Sequence, residues 1–129
     1  MPRPEECRFA KTHEWVFLEG DMARIGLSDF AQNELGDIVY VNLGEAQRPV
    51  VAGDELGEIE SVKAVAEVYA PVSGLVVQIN PLLGDSPEQL NKDPFGAAWL
   101  CTIKLSNPEE VKQLMDHAAY SKFLQEEAH

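Results

Sequence analysis

Short apolar segments separated by turn residues make up most of the first hundred residues of this chain. Each segment is rich in Val, Ile, Leu or aromatic residues, and Gly, Pro and Asp fill the intervals between them. Segments of this length and composition predict β-strands, and many of them in one short chain predict a sandwich or a flattened barrel. The predicted strands are 14–18, 22–25, 38–43, 55–60, 65–70, 75–79 and 99–105.

Two short helical stretches are predicted between these strands. Ser28 is a good N-cap for a first helix, and Gly36 is suited to end it. The apolar side chains of this helix that are expected to face inward are Phe30, Ala31 and Leu35. A largely polar excursion, residues 80–98, separates the last two strands, and a single helical turn is predicted to begin in it at residues 86–87.

The end of the chain changes to a helical pattern. Asn107, Pro108 and Glu110 resemble a helix start, with an N-cap, a first-turn proline and an acid at the third position. Apolar residues then recur at helical spacing, namely Val111, Leu114, Met115 and Ala118, with Tyr120, Phe123 and Leu124 beyond them. We expect a helical segment at about 107–126 that packs on a β-core of about 9–105.

Length and charge limit the classes of function. A chain of 129 residues fits a single domain, 1–129, and a monomer is expected. The net charge of -12 repels phosphate backbones and anionic lipid headgroups, so neither nucleic acid nor a membrane is an expected partner. Basic patches on other proteins are better candidates. The alternative is that the acidity only keeps the protein soluble.

Cysteine usage and the absence of a long apolar run suggest the compartment. The two cysteines, Cys7 and Cys101, form neither a metal-ligand cluster nor a framework of several disulfides, although one disulfide remains open. No apolar run approaches the roughly 20 residues that span a bilayer, and the first residues lack the layout of a secretory signal. We expect a cytoplasmic protein, or a mitochondrial-matrix protein if the chain is a mature eukaryotic one.

One lysine stands apart from the other charged residues. Between residues 49 and 91 there are seven acidic side chains, and Lys63 is the one basic residue. It falls between two predicted strands, with Glu60 and Glu67 close in sequence. A catalytic amine needs desolvation or a neighbouring cation, and the neighbours here are carboxylates. Covalent modification is therefore a better functional hypothesis than catalysis, and the alternative is an ordinary exposed lysine paired with an acid.

The wider sequence around Lys63 resembles the lipoyl-attachment hairpin of glycine cleavage H proteins. The matching strings are 53–64 (GDELGEIESVKA) and 69–74 (YAPVSG). Further matches to the same family are 12–16 (THEWV), 36–41 (GDIVYV), 90–96 (LNKDPFG) and 99–104 (WLCTIK). The resemblance runs in order from about residue 9 to residue 123.

The resemblance implies a mainly β fold, a hybrid barrel-sandwich of the lipoyl and biotinyl type, with Lys63 at the tip of a hairpin. It implies lipoate bound covalently to the Lys63 amine, and a cleft for the loaded arm lined by Thr12, Glu14 and Glu67. No catalytic residue and no metal ligand is implied. An exposed strand position is the alternative for Glu14.

The same resemblance implies the role and the partners. The chain would be a non-catalytic carrier that shuttles an aminomethyl group from glycine decarboxylase (P protein) to the aminomethyltransferase (T protein). It would pass electrons to dihydrolipoyl dehydrogenase (L protein), and a lipoate-attaching enzyme would load it. Glu34 stands where some relatives have histidine. This departure leaves the carrier role intact but puts the detailed pattern of the cleft in question.

Other functions remain as alternatives. The first is an H-like platform for lipoate attachment and transfer to other proteins, and the second is a lipoyl domain of a 2-oxo acid dehydrogenase, for which this chain is long. A plain binding module is a third. An independent enzyme is the weakest, because His13 and Glu14 have no partner constellation. The two alternate in a predicted strand and are expected on opposite faces, with a structural or surface role for His13.

Overall fold

Two antiparallel sheets form most of the computed structural model, which describes residues 3–127. The strands are β1 (Arg8–Phe9), β2 (Glu14–Glu19), β3 (Met22–Leu27), β4 (Ile38–Asn42), β5 (Arg48–Val50), β6 (Glu55–Ser61), β7 (Val65–Tyr69), β8 (Gly74–Ile79) and β9 (Cys101–Leu105). The larger sheet has the strand order β1-β2-β3-β9-β8-β5, and the smaller has the order β4-β6-β7. This architecture confirms the predicted mainly β fold class.

Helices are short and lie at the connections between strands and at the end of the chain. They are α1 (Asp29–Leu35), α2 (Leu82–Asp85), α3 (Gln89–Lys92) and α4 (His117–Glu127), with 3-10 helices at Pro4–Glu6 and Pro108–Gln113. The predicted cap of α1 is confirmed, because the Ser28 hydroxyl accepts a hydrogen bond of 3.1 Å from Ala31 N. The helical turn predicted to begin at 86–87 corresponds to α3, which begins at Gln89. Helix α2 was not predicted.

The main core cluster joins the two sheets. Ile59 of the smaller sheet and Ile25 and Ile103 of the larger one are fully buried in this cluster. A second cluster is aromatic and surrounds the first strand, where Phe9 stacks on Tyr120 with ring centroids 4.3 Å apart. The Trp15 ring lies close over Gly26, so a side chain at position 26 would displace it. These aromatic contacts attach α4 to the β-structure.

The predicted C-terminal helical segment is confirmed, but it is not a single helix. The segment consists of the 3-10 helix Pro108–Gln113 and the separate helix α4, and Met115 between them pairs with Phe9 through backbone hydrogen bonds of 2.7 and 2.9 Å. Asn107 makes no side-chain cap. Glu110 does not complete a capping box but accepts hydrogen bonds from Ser73 N at 2.8 Å and Ser73 Oγ at 2.9 Å. Contacts with distant strands thus override the local helical preference.

Three smaller differences concern strands and cysteines. Strands β1 and β5 were not predicted, because they have two and three residues and contain Arg or Pro. The last strand begins at Cys101, two residues later than predicted. Cys7 and Cys101 are free and buried, so the alternative of a disulfide between them is wrong, and burial raises the pKa of each thiol to about 12. Among the helices of residues 3–127, none is long and apolar enough to cross a membrane.

Candidate modification site and adjacent cleft

Lys63 occupies the turn between β6 and β7, as the sequence predicted. The turn is closed by Ser61 N, which donates to Ala64 O at 2.8 Å. The Ser61 hydroxyl oxygen accepts hydrogen bonds from Lys63 N at 3.3 Å and Ala64 N at 3.1 Å. Because these bonds hold the backbone of the turn, the exposed Lys63 side chain projects from a defined position. Within residues 3–127, Lys63 forms no ion pair with an acidic side chain.

The tip of this hairpin rests on the junction between α1 and β4. Val62 N donates to Asp37 O at 3.0 Å, which ties the turn to the segment after α1. The stem of Lys63 passes over Gly36, since a Cβ atom built at Gly36 would lie 3.5 Å from Lys63 Cε. Gly36 has φ +80, a backbone conformation that favours glycine. The Lys63 side chain therefore runs towards the end of α1.

Asn91 holds the same junction from the polar excursion. Its Nδ2 donates to Gly36 O at 2.8 Å and to Gln32 Oε1 at 2.9 Å. Its Oδ1 accepts a hydrogen bond of 2.9 Å from Ile38 N. One side chain thus satisfies the carbonyl that ends α1 and the amide that begins β4. Asn91 lies in the matching string 90–96, but no role was predicted for it.

A cleft of about 540 Å³ opens beside α1, between that helix and the edge of β7. Its apolar wall consists of Leu27, Phe30, Ala31, Leu35, Ile59, Ala66 and Val68. Its polar wall consists of Thr12, His13, Glu34, Glu67 and Glu127, so three carboxylates face the cleft and no Lys or Arg is among its lining residues within 3–127. Leu35 immediately precedes Gly36. The cleft therefore begins beside the residue over which the Lys63 stem passes.

Comparison with known proteins identifies the family of this chain. The model of the family described as "Glycine cleavage H-protein" matches residues 7–127. The chain belongs to the glycine cleavage H-protein family.

Relatives in this H-protein family match over nearly the full chain. The glycine cleavage system H protein of Anaeromyxobacter sp. (strain K) is 44% identical over 127 residues, covering 98% of this chain and 99% of that protein. The putative mitochondrial glycine cleavage system H protein of Schizosaccharomyces pombe is 45% identical, covering 92% of this chain and 70% of that protein. A crystal structure of the glycine cleavage system H protein from Mycobacterium marinum has a TM-score of 0.87 at 32% identity, covering 95% of this chain and 99% of that chain.

The structure places two of the three predicted cleft residues of this H-protein-family chain on the wall of the cleft. Thr12 and Glu67 line it, whereas Glu14 lies behind Thr12 and is only 1% exposed, so the alternative of an exposed strand glutamate is wrong. The Thr12 hydroxyl donates to Glu14 Oε1, and Tyr69 N donates to Glu14 Oε2 at 3.2 Å. Burial raises the pKa of the Glu14 carboxyl to about 7, although these hydrogen bonds act in the opposite direction.

The apolar lining residues were not predicted as part of the cleft, and neither were three of the polar ones, namely His13, Glu34 and Glu127. His13 precedes β2 instead of lying in it, has φ +78, and its Nδ1 is 2.8 Å from the Tyr120 hydroxyl. That hydroxyl donates to Ser28 Oγ at 2.8 Å, and His13 Nε2 is 3.5 Å from Glu127 Oε1. These contacts are structural, but His13 also lines the cleft, and it does not alternate with Glu14 in a strand as predicted. Glu34 was noted only as a departure from relatives, and nothing local in the sequence indicates that Glu127 reaches the cleft.

Proposed function

We propose that this chain is a lipoyl carrier of the glycine cleavage system, with the lipoyl group in amide linkage to Lys63 Nζ. The observation that carries the proposal is the position of Lys63 on a turn held by hydrogen bonds, with its side chain directed over Gly36 towards a cleft. Membership of the H-protein family and the full-length relatives named as H proteins support the same role.

The dimensions of the site fit a lipoyl-lysine arm. Such an arm reaches on the order of 12 Å beyond the backbone, given bonds of about 1.5 Å. Along α1, the stretch from Leu35 to Ala31 spans about 6 Å at the helical rise per residue, and both residues line the cleft. The apolar wall suits a hydrocarbon chain, and the mouth beside Gly36 is within reach. When bound, the dithiolane supplies redox and group-carrying chemistry to the partner enzymes.

The polar wall of the cleft suits a positively charged amine. Glu34 and Glu67 approach the cleft from α1 and β7, and Glu127 approaches it from the last turn of α4. Three carboxylates around one opening favour a cation, and the Thr12 hydroxyl donates its proton to Glu14, so its lone pairs can accept from an ammonium group. These residues would bind and orient the end of the arm and keep it from bulk water.

The carrier role also defines the proposed partners. These are glycine decarboxylase, the aminomethyltransferase and dihydrolipoyl dehydrogenase, together with an enzyme that attaches lipoate. A carrier on a rigid hairpin raises the effective concentration of its cargo at each partner without adding catalytic groups of its own. The chain is accordingly proposed as a non-catalytic subunit.

Substitution of Lys63 tests the attachment site. Lys63→Arg keeps the positive charge and the exposed position but removes the primary amine that can be acylated. Incubated with a lipoate-attaching enzyme, lipoate and ATP, the wild type should gain the mass of one lipoyl group and the variant none. Lys92→Arg is the matched control and should be acylated like the wild type.

Intact mass measures acylation, and reconstituted glycine decarboxylation measures carrier activity. Both proteins should give the same circular dichroism and thermal midpoint, because the Lys63 side chain is exposed. Lipoate found on Lys11, Lys92, Lys104, Lys112 or Lys122 would contradict the assignment. Acylation at Lys63 without activity in the reconstituted system would favour a lipoate-transfer platform instead.

A further inference from the structure

Exposed apolar side chains cluster around the tip of the Lys63 hairpin. Six large hydrophobic residues of the described chain, 3–127, are strongly exposed, and four of them belong to this region. The four are Val39 and Tyr40, each 51% exposed, Val62 at 70% and Val65 at 57%. We call these four residues the tip patch. Single exposed apolar residues are ordinary on a protein surface, but a group of them at a functional lysine is not.

Strand register places the centre of the tip patch on one face of the smaller sheet. Tyr40 on β4 pairs with Glu60 on β6, and Glu60 pairs with Val65 on β7. Residues in register across a sheet project from the same face, so Tyr40 and Val65 flank Glu60 on the outer face. Val39 lies at the irregularity between Ile38 and Tyr40, where the register shifts. Val62 adjoins Lys63 in the turn.

Acidic residues border this patch. Glu58 lies one row further from the turn and is exposed. Its partner in register, Glu67, is also exposed and lies on the edge strand β7, where it lines the cleft as well. Glu60 lies within the patch. Asp37 is also exposed, and its carbonyl oxygen accepts the hydrogen bond from Val62 N that holds the turn. Lys63 itself is the basic residue of this region, so the surface combines apolar side chains with carboxylates, one of which, Glu60, lies between Tyr40 and Val65. Its complement is an apolar surface that also carries Lys or Arg.

We propose that the tip patch is the docking surface for the enzyme that acylates Lys63, and that this enzyme presents an apolar face that also carries Lys or Arg. The inference rests on the proposed attachment at Lys63. Before acylation there is no long arm, and the Lys63 side chain extends only about 6 Å from its Cα atom. An enzyme that reaches Nζ must therefore contact the surface around it, and the tip patch is part of that surface because Val62 and Val65 lie one and two residues from Lys63.

The step at this interface is an acyl transfer from an activated lipoyl donor, an adenylate or a thioester. Lys63 Nζ, as the free amine, attacks the carbonyl carbon of the donor and forms the amide C–N bond. The bond from that carbon to the leaving group breaks, and its electron pair leaves with the adenylate phosphate or the thiol. The surplus proton on nitrogen passes to a base of the enzyme or to water. The tip patch takes no part in these bond changes and supplies only binding.

Val65→Glu and Val51→Glu form a matched pair that tests the inference. Val51 is 63% exposed, but it precedes the opposite end of β6, about 20 Å from the turn at the rise of a strand. With a purified lipoate-attaching enzyme, lipoate and ATP, Val65→Glu should lower kcat/KM for acylation about tenfold through KM. Val51→Glu should stay within about twofold of the wild type. Tyr40→Ser, which removes an aromatic ring without adding a charge, should also raise KM by several fold.

A binding measurement separates docking from chemistry. In the Lys63→Arg background, which cannot be acylated, adding Val65→Glu should weaken binding to the same enzyme about tenfold. Circular dichroism and thermal midpoints check that each variant is folded, and Tyr40→Ser provides the test if Val65→Glu does not fold. Absence of acylation of the wild type would overturn both the attachment proposal and this inference. Normal acylation of the wild type, with equal KM for Val65→Glu, Tyr40→Ser and Val51→Glu, would overturn the docking surface alone.

Discussion

Glu14 shows how burial changes the meaning of a single residue. Its carboxyl group is 1% exposed, receives one hydrogen bond on each oxygen, and lies behind the Thr12 hydroxyl that faces the cleft. Because burial raises its pKa to about 7, the group titrates near neutral pH in the folded protein. Glu14 therefore borders the cleft only through Thr12, and its charge depends on pH in the physiological range.

This pKa predicts the direction of a pH effect on stability. In the unfolded chain the carboxyl titrates near its ordinary value of 4.5, so between about 4.5 and about 7 the folded state binds more protons than the unfolded state. The free energy of unfolding should therefore fall as pH rises through this window, by up to about 3 kcal/mol. Glu14→Gln keeps a hydrogen-bonding amide at this position without a charge and should remove that fall.

Urea unfolding at pH 5 and pH 8 measures the effect. Between these pH values the wild type should lose stability relative to Glu14→Gln, because only the wild type must bury a charge at the higher pH. Glu19→Gln, at the exposed end of the same strand, is the control and should follow the wild type. Parallel pH profiles for wild type and Glu14→Gln would show that Glu14 does not titrate in this window.

Helix α1 is held at both ends by contacts from distant parts of the chain. At its start, the Ser28 cap also accepts a hydrogen bond from Tyr120 of α4, which in turn contacts His13. At its end, Asn91 binds Gly36 O and Ile38 N. A seven-residue helix is marginal by itself, so these contacts decide its position. Because α1 forms one wall of the cleft and its end supports Lys63, its anchoring defines the geometry of the site.

Asn91→Ala tests the anchor at the end of α1. The substitution leaves the Ile38 amide and the Gly36 carbonyl without their partner, and it should lower the free energy of unfolding by about 2 kcal/mol. Hydrogen exchange should also speed up at the Ile38 and Val62 amides, since both depend on the junction between α1 and β4. Asn33→Ala, at an exposed position of α1, should change stability by less than about 0.5 kcal/mol. Unchanged exchange at both amides in Asn91→Ala would show that the junction is held by other contacts.

At the scale of the whole molecule, acidic side chains outnumber basic ones. The net charge of -12 creates a negative potential around a chain whose proposed partners approach the Lys63 hairpin. Such a field accelerates encounter with basic surfaces and has little effect on contacts already formed. The proposed lipoylation of Lys63 would remove its positive charge as well and make the region more negative.

Salt dependence tests this long-range effect. Association with glycine decarboxylase should weaken several fold as ionic strength rises from about 0.01 M to about 0.15 M, mainly through a slower association rate, because the screening length falls from about 30 Å to about 8 Å. Stopped-flow or surface-based kinetics would separate the two rate constants. Affinity that does not change over this range would mean that the acidity serves solubility alone.

The sequence by itself determined the features that depend on near neighbours. Alternating apolar segments and turn residues predicted most strands, and Ser28 and Gly36 marked the two ends of α1. The position of Lys63 in a turn between two strands was likewise predictable. These features follow from backbone preferences and side-chain contacts within a few residues, which a local pattern contains.

Only the tertiary structure decided which distant segments meet. Met115 follows a helical pattern, yet it pairs with Phe9, more than a hundred residues away, and Glu110 binds Ser73 instead of capping its own helix. Glu14 alternates like an exposed strand residue but is buried under Thr12 and Tyr69. The cleft combines residues near 12, 30, 67 and 127, which no spacing in the sequence relates. Such contacts depend on how the sheets pair and pack, because buried polar groups must find partners wherever the fold brings them.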